Sequence, residues 1–323
     1  MKVSVEISTF NRRDVLARVL EALANQTYSR DEFEVVLSDD GSAEDIAGLV
    51  ESLEGSLPYS IRFLANEHRG CGYAHNRGIR QAKGDLVVML AADLIPEPRL
   101  LEEHVRSHTA EPDPTVVVAG KMKQSDELPQ TAFQRGWNAI VEEMFVEKDG
   151  EPDYRDFWVS NLSFKRDFMI RHGMFREWPA AAHEDLELGY RLEQNGMKLI
   201  YNPMALGHHH HAETLTTVAK RSYAHGYNWH HLEEEVPDVR IRMKSGRLEP
   251  ADGWMLYLNC RIKAALRKVL LNRYSITHIA IPLINRAETA AALAALVPFL
   301  TRKVASYNFH RGVVDYKKQQ SQR

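Results

Sequence analysis

The sequence is poor in cysteine, with two in 323 residues, Cys71 and Cys260, far apart in the chain. That excludes a disulfide framework and fits a reducing compartment. No uninterrupted apolar run reaches about 18 residues, so no membrane-spanning helix is expected. The opening MKVSVEISTF lacks the longer apolar run and the small-residue cleavage site of a secretory signal. It reads as a buried strand, and the expected location is the cytoplasm. A dominant charge is missing too: 41 Lys and Arg stand against 44 Asp and Glu, for a net of -3. Bulk attraction to nucleic acid is therefore excluded. Internal repeats and long low-complexity segments are absent. What remains is an ordinary globular composition, 44% apolar, able to bury a sizeable core. The length suits one large domain, or one domain with a tail.

Strand and helix patterns alternate through the first hundred residues. Val3 to Ile7 is a β-rich run leading into Ser8, Thr9, Phe10 and Asn11. Residues 14–25 carry Val15, Leu16, Val19, Leu20 and Leu23 at helical spacing, with Asn11 or Asp14 as candidate cap. A strand at 33–37 leads to Asp39, Asp40, Gly41 and Ser42. A helix over about 43–53, a strand at 60–64, a helix at 73–82 and a strand at 85–90 follow. The pattern predicts an α/β protein: a mostly parallel, Rossmann-like sheet sandwiched by helices. Ligands bind such sheets at the carboxyl ends of the strands. The polar loops at 8–12, 38–42 and 91–98 should therefore meet at one site.

The middle, 112–212, is mixed, with strands expected at 115–119, 158–164 and 197–201 and a helix at 184–195. From 213 the pattern is mainly helical, so the expected division is a catalytic domain over 1–212 and a helical C-terminal extension over 213–323. Residues 261–303 hold eight Lys or Arg and one acid, Glu288, among apolar residues such as Ile276 and Ile279. That stretch fits either an anionic membrane surface or a helical subdomain with a solvated basic face.

Several groups could carry chemistry. A carboxylate such as Asp39 or Asp40 accepts from a base N–H or a ribose hydroxyl, and Gly41 permits a tight turn beside a ligand. The bland alternative is a helix start capped by Asp40 or Ser42. Asp93 by itself suits a cap on the turn before Pro96. His208 to His211 are four consecutive histidines. On an extended segment His209 and His211 share a face. A structural zinc site drawing on His225, His230 and His231 lacks the usual spacing. Glu184 and Asp185 open a helix, where an acid either complements the dipole or serves as a base. Ser160 and Asn161 suit sugar hydroxyls or a buried, satisfied pair.

The order of these motifs resembles the bacterial family 2 inverting glycosyltransferases with the A-type fold. Ile7 to Arg12, Ser38 to Ser42, Asn66 to Gly78, Ala91 to Asp93, residues 158–177 and Glu184 to Leu192 carry the likeness, over about residues 1–212. The resemblance implies transfer of a sugar, with inversion, from a nucleoside diphosphate sugar to an acceptor hydroxyl, a UDP-sugar being favoured. It assigns Asp185 as general base with Glu184 beside it; His183 either extends that network or is an exposed histidine. Ser8, Thr9, Asn11, Asp39, Asp40 and Asn76 go to the nucleotide. Asp93, His209 and His211 go to a divalent cation, Mn2+ or Mg2+. Trp158, Ser160 and Asn161 go to the sugar or acceptor pocket. Acceptors of such enzymes are glycans, lipid-linked carriers, peptides or small molecules, not nucleic acid.

The family's Asp-x-Asp motif reads Ala91-Ala92-Asp93 here, keeping only the last acid. The missing acid motivates a second reading, a catalytically degenerate nucleotide-sugar binder. It also raises Arg69, Arg77 or the histidine run as alternative cations for the leaving group. A nucleotidyltransferase is a third reading, but it resembles a Gly-rich first loop, and residues 8–12 hold no glycine.

Overall fold

The structure is a computed structural model that describes residues 1–145, 152–178 and 183–322. The chain divides into two units, one of Met1–Glu127 with Phe145–His211, the other of Leu128–Met144 with Ala212–Arg323. Residues 128–144, which the sequence pattern puts in the first domain, thus cluster with the second unit.

The first unit is built on an eight-stranded sheet. Its strands are β1 (Val3–Thr9), β2 (Phe33–Asp39), β3 (Ser60–Ala65), β4 (Leu86–Leu90), β5 (Leu94–Pro96), β6 (Val116–Gln124), β7 (Asn161–Lys165) and β8 (Lys198–His209). The spatial order is β3-β2-β1-β4-β7-β6-β8-β5. The half from β3 to β4 is parallel throughout. Beyond β4 the sheet is mixed: β7 runs antiparallel to β4 and β6, β6 pairs parallel with β8, and β5 is antiparallel to β8. Apolar runs such as Leu86–Leu90 are buried along their whole length, as a sheet covered on both faces requires.

Helices α1 (Arg13–Leu23), α2 (Ile46–Leu53), α3 (Cys71–Gln81) and α4 (Leu100–Ala110) precede α5 (Ala132–Phe145), which belongs to the second unit; α6 (Arg166–Arg171) and α7 (Glu184–Glu193) return to the first. One core layer joins Val3, Val5 and Ile7 to Leu16, Val19, Leu20 and Leu23 of α1. The other joins Val87 and Met89 to Ile79, Phe164, Leu188 and Leu192. Two expected caps are corrected. Arg12 precedes α1 with no side-chain cap, while Asn11 accepts from the Ala43 N–H at 2.8 Å instead. α2 is capped by Asp45, whose carboxylate accepts from Gly48 N–H at 2.8 Å, so neither Asp40 nor Ser42 plays that part.

β8 is far longer than the expected strand over 197–201. The pairing of β6 with β8 jumps from Gly120–Asn202 to Lys121–Leu206, and the intervening Pro203 has no N–H to give a ladder. The strand resumes beyond the bulge and carries His208 and His209 against Ile95 and Leu94 of β5. The histidine run is thereby brought beside Asp93.

The second unit is helical: after α5 come α8 (Leu215–Tyr227), α9 (Trp229–Glu235), α10 (Val239–Ser245), α11 (Trp254–Leu270), α12 (Arg273–Ser275), α13 (Ile281–Arg286), α14 (Ala291–Ala294) and α15 (Val297–Ser321). Its core gathers Phe133, Val218, Ile276, Ile284, Val297 and Val304. No helix among the described residues is long and apolar enough to cross a membrane.

Candidate active site

The first and second loops meet as their strand registers dictate. Thr9 pairs with Asp39 and Ser8 with Ser38 across β1 and β2. The Asp39 carboxylate accepts from the Ser42 hydroxyl at 2.5 Å and from its N–H at 3.2 Å. Gly41 has φ +77°, and a Cβ there would come within 2.6 Å of His68 N, so only glycine closes this turn. Asp40 accepts from Arg69 N–H at 2.9 Å and Gly70 N–H at 3.1 Å, and pairs with His68 Nδ1 at 2.9 Å. Asp40 thus fixes the loop that opens α3. The exposed Phe10 ring stacks on His68, with centroids 4.4 Å apart and planes 17° from parallel. Thr9 Oγ1 is buried and finds no partner among the described residues.

The third loop meets the end of β8. Arg12 Nη1 stands 2.7 Å from Asp93 Oδ2 and 2.8 Å from His211 Nδ1. His209 Nε2 faces Asp93 Oδ1 at 3.4 Å, while the Gln124 amide holds His209 Nδ1 at 3.0 Å. The His209 and His211 rings lie 6.0 Å apart on the Asp93 side. The other two histidines of the run turn elsewhere, His208 to Glu97 at 2.9 Å and His210 to Arg18 at 2.9 Å. Burial would raise the Asp93 carboxyl, but His209, then Arg12 and His211, override it and bring it down to about 2. Asp93 is therefore an ion-pair centre, not a turn cap. Among the described residues no group of three or more His, Cys, Asp or Glu side chains is arranged to hold a metal. The zinc reading finds no such group. Asp93 and His209 still offer one oxygen and one nitrogen, with Gln124 fixing which nitrogen faces Asp93. They fit a cation that takes its other ligands from a diphosphate and water.

α7 begins at Glu184, after His183 in the left-handed region at φ 67°. The Cys71 thiol donates to Glu184 Oε1; Glu184 Oε2 is buried with no partner among the described residues. Asp185 Oδ1 accepts from Leu186 N–H at 2.8 Å. Burial, and next the Glu184 charge, push the Asp185 carboxyl up to about 7. Burial and the Glu184 carboxylate likewise hold the Cys71 thiol well above its ordinary range. The nucleotide-side loop and this cluster are joined by a short path: Asp40 binds Gly70 N–H, and the next residue, Cys71, binds Glu184.

Two residues expected at the ligand, Asn76 and Asn161, bond protein groups. Asn76 is buried and bridges Phe175 N–H and C=O, both at 2.9 Å, so it anchors the 175–177 segment. Asn161 is buried, accepts from His104 Nε2 at 2.9 Å and donates to Ala205 and Lys121 carbonyls at 2.8 and 3.0 Å. Both of its N–H groups go to carbonyls flanking the β6–β8 register shift. Ser160 and Trp158 sit in the turn before β7, where the Ser160 carbonyl accepts from Ala91 N–H at 3.0 Å. Arg12, Gln124 and Cys71 were not anticipated from the sequence. Only Arg12 left a signal there, as a cation in a loop expected to reach the site.

The chain matches the family model described as glycosyl transferase family 2 over residues 4–173, and the one described as glycosyl transferase family group 2 over 150–301. Validoxylamine A glucosyltransferase of Streptomyces hygroscopicus subsp. jinggangensis is 30% identical over 227 residues, covering 61% of this chain and 52% of that protein. Hyaluronan synthase of Pasteurella multocida is 27% identical over 60% of this chain and 23% of its own length. The chain thus spans about a quarter to a half of these curated relatives. Among solved structures, a Pyrobaculum calidifontis mannosyltransferase in complex with GDP-Man and Mn2+ superposes with TM-score 0.65 at 19% identity, over 99% of this chain and 88% of that one. TarS of S. aureus gives TM-score 0.54 at 18% identity, over 99% and 92%. With the same α/β architecture and a family model matched over more than half its length, the chain belongs to glycosyl transferase family 2.

Proposed function

We propose that the protein is an inverting glycosyltransferase that moves a sugar from a UDP-sugar to an acceptor hydroxyl, with Asp185 as general base. The observation that carries this reading is the Glu184–Asp185 pair at the start of α7, where Asp185 is held at about 7. A carboxylate at that value is poised to take a proton near neutrality. Inversion in one step needs such a base on the face opposite the departing diphosphate. Thr9 and Asp39 receive the nucleotide, Thr9 offering a buried hydroxyl that finds no other partner among the described residues. The stacked Phe10 and His68 rings add an apolar face beside it. The complexes of the mannosyltransferase with GDP-Man and of TarS with UDP support a nucleotide-sugar donor. Asp93 and His209 would hold a divalent cation, whose charge offsets that of the leaving diphosphate. Arg12, 2.7 Å from Asp93, adds fixed positive charge at the same place and compensates in part for Ala91. No observation favours a degenerate binder.

The second unit supports a peripheral contact with an anionic membrane. α11 exposes Trp254 (62%), Met255 (79%), Ile262 (52%) and Val269 (70%) along one side. It carries Arg261, Lys263 and Lys268 and no acid. An apolar stripe bordered by bases matches the interface of an anionic bilayer.

The direct test of the transfer is incubation with UDP-, GDP- and dTDP-sugars and Mn2+. Nucleotide release from the UDP-sugars is expected. No release and no thermal shift with any donor would overturn the reading.

A further inference from the structure

Beside the Glu184–Asp185 pair lies a second ionic pair that the transfer, as proposed, leaves unused. Glu6 on β1 is fully buried. By strand alternation it faces away from the layer of Val3, Val5 and Ile7. His75 Nδ1 lies 2.8 Å from Glu6 Oε2. The other oxygen, Oε1, is buried and finds no partner among the described residues. Residue 78 leaves room for it by being glycine: a Cβ there would stand 2.6 Å from Glu6 Oε1. Burying such a pair is expensive, because desolvation commonly exceeds the Coulombic gain, and two apolar residues would pack as well. A structural role alone gives no reason for charges here.

Location supplies one. His75 is one helical turn beyond Cys71 on the same face of α3. Cys71 donates to Glu184, whose neighbour is Asp185. His75 thus bonds Glu6 of β1 and lies one turn along α3 from the thiol that bonds Glu184 at the start of α7. The groups acting on His75 are Glu6, Glu184 and Asp185, and the Phe175 ring packs beside it with centroids 5.1 Å apart. Asp40 and Asp185 act on the nearby Cys71. Arg176 and Arg191 pair with Glu187, at 3.6 Å and 2.7 Å, and Arg69 and Arg80 of the α3 region with Glu177. Burial pushes the Glu6 carboxyl up against the pull of His75, and would push the His75 imidazole down, but Glu6 first and then Glu184 and Asp185 raise it.

We propose that Glu6 and His75 are a positioning pair: Glu6 keeps His75 protonated, and the imidazolium keeps Asp185 ionised and able to take the acceptor's proton. This rests on the reading of Asp185 as base. In the transfer the acceptor oxygen bonds to the sugar carbon and the bond from that carbon to the diphosphate breaks. The acceptor's proton ends on Asp185, and His75 gives up none.

The test is an NMR titration of the whole chain with 13C-labelled Asp carboxyls and His rings, Asp185→Asn serving to assign the Asp185 signal. The double variant Glu6→Gln/His75→Gln replaces the ions with two amides and strands no buried carboxylate. It is expected to raise the Asp185 midpoint by about one pH unit. The acid limb of the donor-hydrolysis profile should move with it. Glu6→Gln alone keeps an acceptor for His75 and is expected to lower the His75 midpoint. An unmoved Asp185 midpoint in the folded double variant, or an unmoved His75 midpoint in Glu6→Gln, overturns the proposal. If Asp185 is not the base, Asp185→Asn keeps its turnover while both midpoints still move, so the two failures are distinguishable.

Discussion

Asp93 and Asp185 are the same side chain in the same α/β unit, yet their neighbours drive them apart. Asp93 sits among cationic and imidazole groups, Arg12, His209 and His211, and is pulled down to about 2. Asp185 is pushed up to about 7 by burial and next by the acid beside it, Glu184. Burial opposes ionisation at both; the cationic partners overturn it at Asp93, and Glu184 adds to it at Asp185. Carboxylates separated in this way can divide the work: one stays charged at every working pH, and the other exchanges a proton.

The sharpest way to break that contrast is Asp185→Asn, which keeps the volume and removes proton acceptance. Turnover is expected to fall by roughly 10²–10⁴ while donor binding persists. Near-normal turnover would leave Asp185 an ordinary buried acid. Its pH signature follows from the same value: the rate should climb as pH rises through about 7 and Asp185 loses its proton.

On the opposite side, Gln124→Ala releases the imidazole that faces Asp93. Mn2+ affinity measured by calorimetry with UDP present is expected to drop by about 10–100-fold. Asp93→Ala and His209→Ala should each weaken metal-dependent UDP binding, and their effects should not add, because both act through one ion. Full activity in excess chelator would instead leave Arg12 as the main positive charge at Asp93.

Stability separates the two acids in opposite directions. Asp93 falls from an ordinary 3.8 to about 2, so it stabilises the fold above 3.8 and loses that contribution as pH drops towards 2. Asp93→Asn should cost about 2 kcal/mol at pH 7. Asp185 rises from 3.8 to about 7, so the folded chain holds its proton longer than the unfolded one. Its contribution weakens as pH climbs through that window, and Asp185→Asn should raise the denaturation midpoint more at pH 8 than at pH 4.5. Urea titrations at both pH values check the two signs. The smallest effect is expected in the helical unit, where Ile262→Asp should reduce sedimentation with anionic vesicles at low salt, and added salt should release the wild type. Equal binding to neutral vesicles would remove the electrostatic part of that contact.

The parallel half of the sheet and the meeting of its loops were legible because apolar runs and Asp-Gly punctuation are local signals. The long β8 was not, since Pro203 reads as a strand end and only pairing with β6 and β5 carries the chain past it. The contacts of Asn76 and Asn161 were hidden for a related reason. An asparagine in a motif looks like a ligand contact until the fold shows that its amide is surrounded by backbone. Arg12 was visible as a loop cation, but its partners Asp93 and His211 come from segments remote in the chain.

The strand order also bears on self-association. An open sheet presents two rims of unpaired amides, here β3 and β5. β5 is three residues long and ends in Pro96, too short and too poor in donors to template another chain. β3 is twice that length, spanning Ser60–Ala65, and Arg62 is the charged residue on it. Replacing Arg62 with an apolar β-branched residue would remove that guard, and the β3 rim is where strand-to-strand aggregation of this protein should begin.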